Sequence, residues 1–298
     1  GKTWGWHDAA FFNMCRPVEM VFTQGFDKGE QIGPKTKPVE EMTSFDEFYD
    51  AYKQQMNYFI ELLVNSDNAI DQAHSERAPL PFLSTMIDDC IKRGKTPEQG
   101  GAVYNFTGPQ GFGIANMADG LYAIKELVFK EKKFTLAELK RALTFNFGEA
   151  PEVNVIGQLA GLATSEMLKA GKTPDSKSVQ AAVDAILASV TPDEKARFKE
   201  IREMIAEAPK FGNDDEVVDA FARDVAYTYT KPLLNYKNPR GGSFQAGLYP
   251  VSANVPLGAQ TGATPDGRLA GTPVADGVSP SAGKDVHGPT AAANSVAR

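Results

Sequence analysis

Residues 258–298 constrain this chain more than any other stretch. Seven glycines and four prolines fall in those 41 residues, well above the usual share of either. Asp266-Gly267 and Asp276-Gly277 are turn dipeptides, and Thr-Pro and Ser-Pro pairs are interleaved with them. Such a segment is not expected to form a helix and makes a poor sheet. Composition alone leaves a disordered tail open. A rigid loop system packed on a core fits better, because Leu269, Val274 and Val278 recur at intervals and charges are few. Glycines let such loops approach a core closely.

Length and composition narrow the rest. The 298 residues suit one large domain or two ordinary ones. With 42% hydrophobic and 23% charged residues, the chain has a soluble globular composition. A net charge of −7 without a basic run argues against nucleic acid, whose phosphates need clustered Lys and Arg. No apolar run reaches the roughly 18 residues of a membrane span. Two cysteines, Cys15 and Cys90, cannot build a disulfide framework and suit a reducing cytoplasm.

The N-terminal run reads as a buried helix through Ala9, Phe12 and Val18, capped by Asp8, strained at Pro17 and stopped at Gly25. Trp4, Trp6, His7 and Asp8 cluster at its mouth. His7 and Asp8 are either a capped helix start or the polar floor of a pocket. Residues 26–42 read as a polar linker. Ser44 and Glu47 form a capping box opening a long amphipathic helix to His74. Phe82 to Ile87 is a short buried strand or a helical turn. Carboxylates beside Cys90 favour its thiol form, and Cys15 belongs to the core.

Residues 103–129 read as strand, glycine loop and helix. The loop lacks the phosphate-binding lysine and the dinucleotide spacing. Helices follow at 135–147 and twice within 172–208, the second opened by Thr191-Pro192 with Glu194. Asn213 or Asp215 caps a further helix that Pro232 ends, and residues 240–251 read as a strand. Helices alternating with buried strands indicate an α/β, barrel-like body.

Two separated motifs carry a family resemblance. Gly262-Ala263-Thr264-Pro265-Asp266-Gly267-Arg268, continued by Ala275-Asp276-Gly277-Val278-Ser279-Pro280, resembles the segment that glycyl radical enzymes of the pyruvate formate-lyase superfamily carry before their radical domain. Tyr104-Asn105-Phe106-Thr107-Gly108 is similar to a barrel strand of the same family. The resemblance implies that residues 1–298 are part of a single ten-stranded α/β barrel domain, without the C-terminal radical domain. It implies chemistry begun by a backbone glycyl radical, which an S-adenosylmethionine iron–sulfur activating enzyme installs and a cysteine thiyl relays. No bound cofactor is implied. The family's Cys-x-Glu-Pro motif precedes a Gly-Lys-Thr stretch like Gly1-Lys2-Thr3, and its radical loop lies beyond Arg298. Neither Cys15 nor Cys90 holds the catalytic position. The chain is therefore expected to be an internal fragment, inactive and poorly soluble alone.

The resemblance also assigns substrate residues. Gly5-Trp6-His7-Asp8 is similar to the segment of glycerol and propanediol dehydratases whose aspartate holds a substrate hydroxyl, so Asp8 takes that role. Phe211 stands where diol dehydratases often carry tyrosine; with Asn213 and Asp214 it implies a smaller or differently polar leaving group. Phe12-Asn13-Met14-Cys15-Arg16-Pro17 and the C-terminal run 291–298 are most similar to isethionate sulfite-lyases. The leading expectation is thus C–S cleavage of isethionate to acetaldehyde and sulfite. Glycerol or 1,2-propanediol dehydration is the alternative, and a non-catalytic binding protein derived from the barrel is a third. A cytoplasmic homodimer, free or in a bacterial microcompartment, is implied, with a small-molecule substrate and the activating enzyme as partners.

Overall fold

The computed structural model describes residues 1–5, 8–149 and 153–298. Among them are four short strands: β1 (Phe11–Asn13), β2 (Phe26–Asp27), β3 (Glu30–Gln31) and β4 (Gln110–Phe112). Twelve α-helices surround them: α1 (Cys15–Phe22), α2 (Phe45–Arg77), α3 (Pro81–Ser84), α4 (Cys90–Arg93), α5 (Ile114–Ala123), α6 (Leu136–Thr144), α7 (Val153–Lys169), α8 (Ser176–Ala188), α9 (Pro192–Glu207), α10 (Glu216–Leu233), α11 (Asn254–Ala259) and α12 (Pro289–Ala297).

Three stretches of chain run parallel, in chain order. β1 pairs with β4, Phe11 opposite Gln110. Isolated bridges extend the pairing to Thr3 opposite Tyr104, and join a third path through Thr107 opposite Phe244 and Gln110 opposite Gly247. Parallel neighbours need long crossovers, and helices supply both of them here. The mixed α/β class read from the sequence is therefore present as a three-path sheet packed with helices.

Close approach across this sheet rests on glycine. A Cβ on Gly247 would stand 1.9 Å from the Gln110 amide nitrogen, and one on Gly111 would stand 2.8 Å from the Tyr229 ring. Beneath the sheet, Phe12 stacks on Tyr229 of α10 with centroids 5.1 Å apart. The 33-residue α2 is about 50 Å long at 1.5 Å per residue. It buries Phe48, Ala51, Tyr52, Gln55, Met56, Ile60 and Val64, a stripe at spacings of three and four.

Several elements differ from the sequence reading. Asp8 caps no helix: α1 begins at Cys15, because residues 11–13 are drawn into β1 and the Asn13 Oδ1 accepts the Cys15 amide at 3.1 Å. Pro17 then sits in the first turn, where its missing N–H costs no intrahelical bond. The expected loop at 107–113 is largely sheet: the Thr107, Gln110 and Gly111 amides all donate to neighbouring paths. The linker at 26–42 contains the β2–β3 hairpin and a 3-10 turn at Val39–Glu41. The box at Ser44 is half formed; the Glu47 amide reaches Ser44, but the Glu47 carboxylate bonds Thr43 instead.

Residues 81–84 make a helical turn rather than a strand, with Phe82 and Met86 exposed. The helix begun by α5 widens into a π-helix over Ile124–Lys130. Helix α7 was not expected at all. The capped helices were: Thr135 and Thr191 form full boxes with Glu138 and Glu194, and Asp215 caps α10.

Candidate functional site

The register of the first two paths creates the most distinctive local feature. Thr3 to Phe11 spans eight steps, whereas the opposite Tyr104 to Gln110 spans six. Between these two pairings the first path therefore carries two extra residues, a bulge in the ladder; bulges are over-represented next to active sites. Asp8 lies within that interval, and the Ala9 amide rejoins the ladder at the Gly108 carbonyl, 3.4 Å away. Gly5 at its base is required, because a Cβ there would fall 2.1 Å from the Phe106 ring. His7 and Trp6 lie outside the described residues.

Asp8 is exposed, and Tyr249 meets it. The Tyr249 hydroxyl donates to Asp8 Oδ1 at 2.9 Å. Tyr249 stands just past the third path, where the Gly247 amide bonds the Pro109 carbonyl at 2.8 Å. The pair thus spans the middle path near Gly108 and Pro109. Desolvation, with the hydrogen bond to Asp8 second, pushes the Tyr249 phenol up to about 12, so it stays a donor at neutral pH. Sequence reading missed Tyr249. The usable signal was its place at the exit of a parallel strand, where site residues gather in α/β folds.

Phe211 is placed elsewhere. Its ring is 6% exposed and packs with Ala115 and Ala118 of α5, Val218 and Ala222 of α10, and Ala275. Its amide donates to Asp119 Oδ1 at 2.8 Å. Burial drives the Asp119 carboxyl up, against the pull of that amide and of Lys210. Asn213 and Asp214, which the sequence reading set beside the leaving group, engage the C-terminal segment with their side chains. Asn213 Nδ2 donates to the carbonyls of Lys210 (3.1 Å) and Lys284 (2.8 Å), and its Oδ1 accepts the Val286 and His287 amides. Asp214 binds Asn294 at 2.9 Å and pairs with Arg298.

The glycine-rich stretch is an ordered, packed loop system, as the second reading required. Asn116 on α5 clamps it, donating to Asp266 Oδ2 at 2.7 Å and accepting the Ala275 amide at 2.7 Å. Asn146 Oδ1 takes the Ala270 amide, and Arg268 donates to the Gly262, Leu269 and Thr272 carbonyls. Its first two residues close α11 and its end forms α12, with Pro289 in the first turn. Cys15 lies under this system with no exposure, its thiol driven up by burial. Cys90 is also buried, and desolvation, then Glu98, raises its thiol. Neither is placed as an ionic nucleophile. Among the described residues no group of three or more His, Cys, Asp or Glu could hold a metal ion, and no helix is long and apolar enough to cross a membrane.

Comparison with known proteins gives this geometry a context. The pyruvate formate lyase-like family model matches residues 1–258. (2S)-3-sulfopropanediol dehydratase of Klebsiella oxytoca is 33% identical over 306 residues, covering 100% of this chain and 31% of that protein. Isethionate sulfite-lyase of Oleidesulfovibrio alaskensis is 29% identical, covering 95% and 29%. The solved structure described as 1,2-propanediol dehydration in Roseburia inulinivorans is 59% identical with a TM-score of 0.96, covering 100% of this chain and 36% of that one. The glycerol-bound B12-independent glycerol dehydratase of Clostridium butyricum is 49% identical with a TM-score of 0.81, covering 99% and 32%. The chain spans about a third of the length of the curated relatives it matches.

Proposed function

Because this chain belongs to the pyruvate formate lyase-like family, we propose that it forms one wall of a glycyl radical dehydratase acting on a small vicinal diol, 1,2-propanediol or glycerol. The observation that carries the reading is Asp8, an exposed carboxylate within a bulge and held by Tyr249. Its support from similarity is the 59% and 49% identity to chains described with propanediol and glycerol, against 29% to the sulfite-lyase named above. The C–S reading on isethionate has that weaker support. The sheet is taken as a sector of a ten-stranded barrel in a homodimeric enzyme.

The radical, installed on a backbone glycine by an S-adenosylmethionine iron–sulfur enzyme and relayed by a cysteine, supplies hydrogen-atom abstraction from the substrate. The part of residues 1–298 is positional and electrostatic. Asp8 accepts a hydrogen bond from the hydroxyl on the carbon that loses its hydrogen, which fixes that carbon's orientation. As that carbon becomes a radical, the carboxylate draws the hydroxyl proton and favours the ketyl form. The neighbouring C–O bond then breaks, the leaving hydroxide takes up the proton drawn from the first hydroxyl and departs as water, and return of the hydrogen atom to that carbon leaves an aldehyde. The overall reaction, diol to aldehyde plus water, is redox-neutral.

The test uses the complete protein that contains this chain, activated anaerobically. Aldehyde should form from 1,2-propanediol or glycerol, and Asp8→Ala should reduce kcat/KM by at least a hundredfold. Sulfite release from isethionate with no turnover of either diol would replace this reading with the C–S one. Full activity of Asp8→Ala would remove Asp8 from the site.

A further inference from the structure

We infer that Tyr249 is a positioning residue: its hydroxyl locks one oxygen of Asp8 and leaves the other for the substrate. The inference rests on the reading of Asp8 as the acceptor of a substrate hydroxyl. An aspartate on a bulge lacks the ladder contacts that order a strand residue, and its carboxylate can turn through several rotamers. Among the described residues, Tyr249 is the side chain that hydrogen-bonds it.

The geometry suits a lock. Tyr249 follows the third path by two residues, and that path is tied to the middle one by the Gly111–Gly247 and Gly247–Pro109 bonds, at 2.9 and 2.8 Å. Pro250 follows directly and restrains Tyr249 to extended backbone. A phenol is rigid, with two side-chain torsions, so it brings a donor to a fixed point at small entropic cost. Donation at 2.9 Å to Oδ1 is a charge-assisted bond. It uses one of the two carboxylate oxygens. Among the described residues nothing binds Oδ2, which, with Oδ1 tethered, points in one direction. The tyrosine also links two paths that do not pair directly, so the bulge cannot move without the third path.

A strut that merely holds the bulge would give the same contact, so the test must separate the two roles. Diol binding does not need the radical, so affinity is read on the complete, unactivated protein by calorimetry with 1,2-propanediol and glycerol. The variants are Tyr249→Phe, Asp8→Asn and the double variant; kcat and KM are then measured on the activated forms. Tyr249→Phe should weaken diol binding by roughly tenfold, in line with loss of one charge-assisted bond, while the melting temperature stays within about 2 °C. In the Asp8→Asn background the same change should matter less than twofold, because the oxygen it positions no longer carries the charge.

Independent, multiplying losses in the double variant would overturn the inference, as would unchanged affinity in Tyr249→Phe. Loss of affinity accompanied by a large fall in melting temperature, equal in both backgrounds, would assign Tyr249 to the strut. If the wild-type protein binds and turns over neither diol, the dehydratase reading fails and the inference falls with it. Diol turnover by the wild type with an indifferent Tyr249→Phe sinks the inference alone.

Discussion

Arg240 offers the sharpest test of how the sheet is held. Its side chain is 1% exposed and faces Asp71 of α2, itself 5% exposed. Nε donates to Asp71 Oδ2 at 2.8 Å, Nη1 to the Trp4 carbonyl at 3.1 Å, and Nη2 to the Phe106 carbonyl and Thr107 Oγ1 at 2.9 and 3.2 Å. One guanidinium thus joins the long helix to the first, second and third paths. Arg240→Met keeps the volume and removes every donor. The stranded Asp71 charge costs about 3–5 kcal/mol, and each orphaned carbonyl adds roughly 1 kcal/mol where water does not reach it. The sum, with both the Trp4 and Phe106 carbonyls orphaned, is about 5–7 kcal/mol. At roughly 2 °C per kcal/mol for a chain of this size, the melting temperature should fall by about 10–14 °C. Urea unfolding followed by tryptophan fluorescence gives the free energy directly. Adding Asp71→Asn removes the buried charge and should recover about half of the loss, since the unpaired ion dominates it. A single variant within about 1 kcal/mol of wild type, or a double variant that adds a further full loss, would refute this account of the pair.

Gly247 and Asp67 give two further tests. Gly247→Ala places a methyl 1.9 Å from the Gln110 amide, so either Gln110 leaves its buried seat or the third path shifts; a drop of at least 2 kcal/mol in urea unfolding is expected, and near-neutrality would show that the site yields freely. Asp67 on α2 is pushed by burial, and next by Asp71, up to about 6 from an ordinary value near 4. The folded chain then holds that proton more tightly than the unfolded one, so this group's contribution falls as pH rises from about 4 through 6. Asp67→Asn cannot ionise, and its melting temperature relative to wild type should climb across that window; a flat difference would deny the shift.

What the sequence made legible was local or periodic. Thr191 and Asp215 announce helix starts by chemistry that acts within one turn: Thr191 caps as read, and Asp215, one of the two candidates with Asn213, is the residue that caps α10. The stripe from Phe48 to Val64 announces α2 by its spacing. The readings that failed depended on partners far along the chain. Residues 9–13 carry a helix-like apolar pattern, yet the backbone of residues 110–112, about a hundred positions away, captures Phe11–Asn13 as strand. Glycine and proline at 108–113 suggested a loop, but in a parallel sheet those glycines admit neighbouring side chains that no local rule foresees.

The candidate site shows the same limit most clearly. Asp8 could be singled out by its motif, but its setting depends on a count that no single segment contains. The first path has two residues more than its partner between the same two bridges, and that excess becomes visible only once the partner is known. Tyr249 lies 241 positions from Asp8 and has no motif of its own. Only three-path topology brings it across Gly108 and Pro109. Asn213 and Asp214 make the converse point. Polar residues beside a presumed pocket invite a chemical role, yet the chain's own C-terminal segment satisfies them, through the Lys284, Val286 and His287 backbone and the Asn294 and Arg298 side chains. A polar side chain close to a site in sequence is available for chemistry only when the fold leaves it a free valence, and among the described residues Asp8 Oδ2 meets that condition where the Asn213 and Asp214 side chains do not.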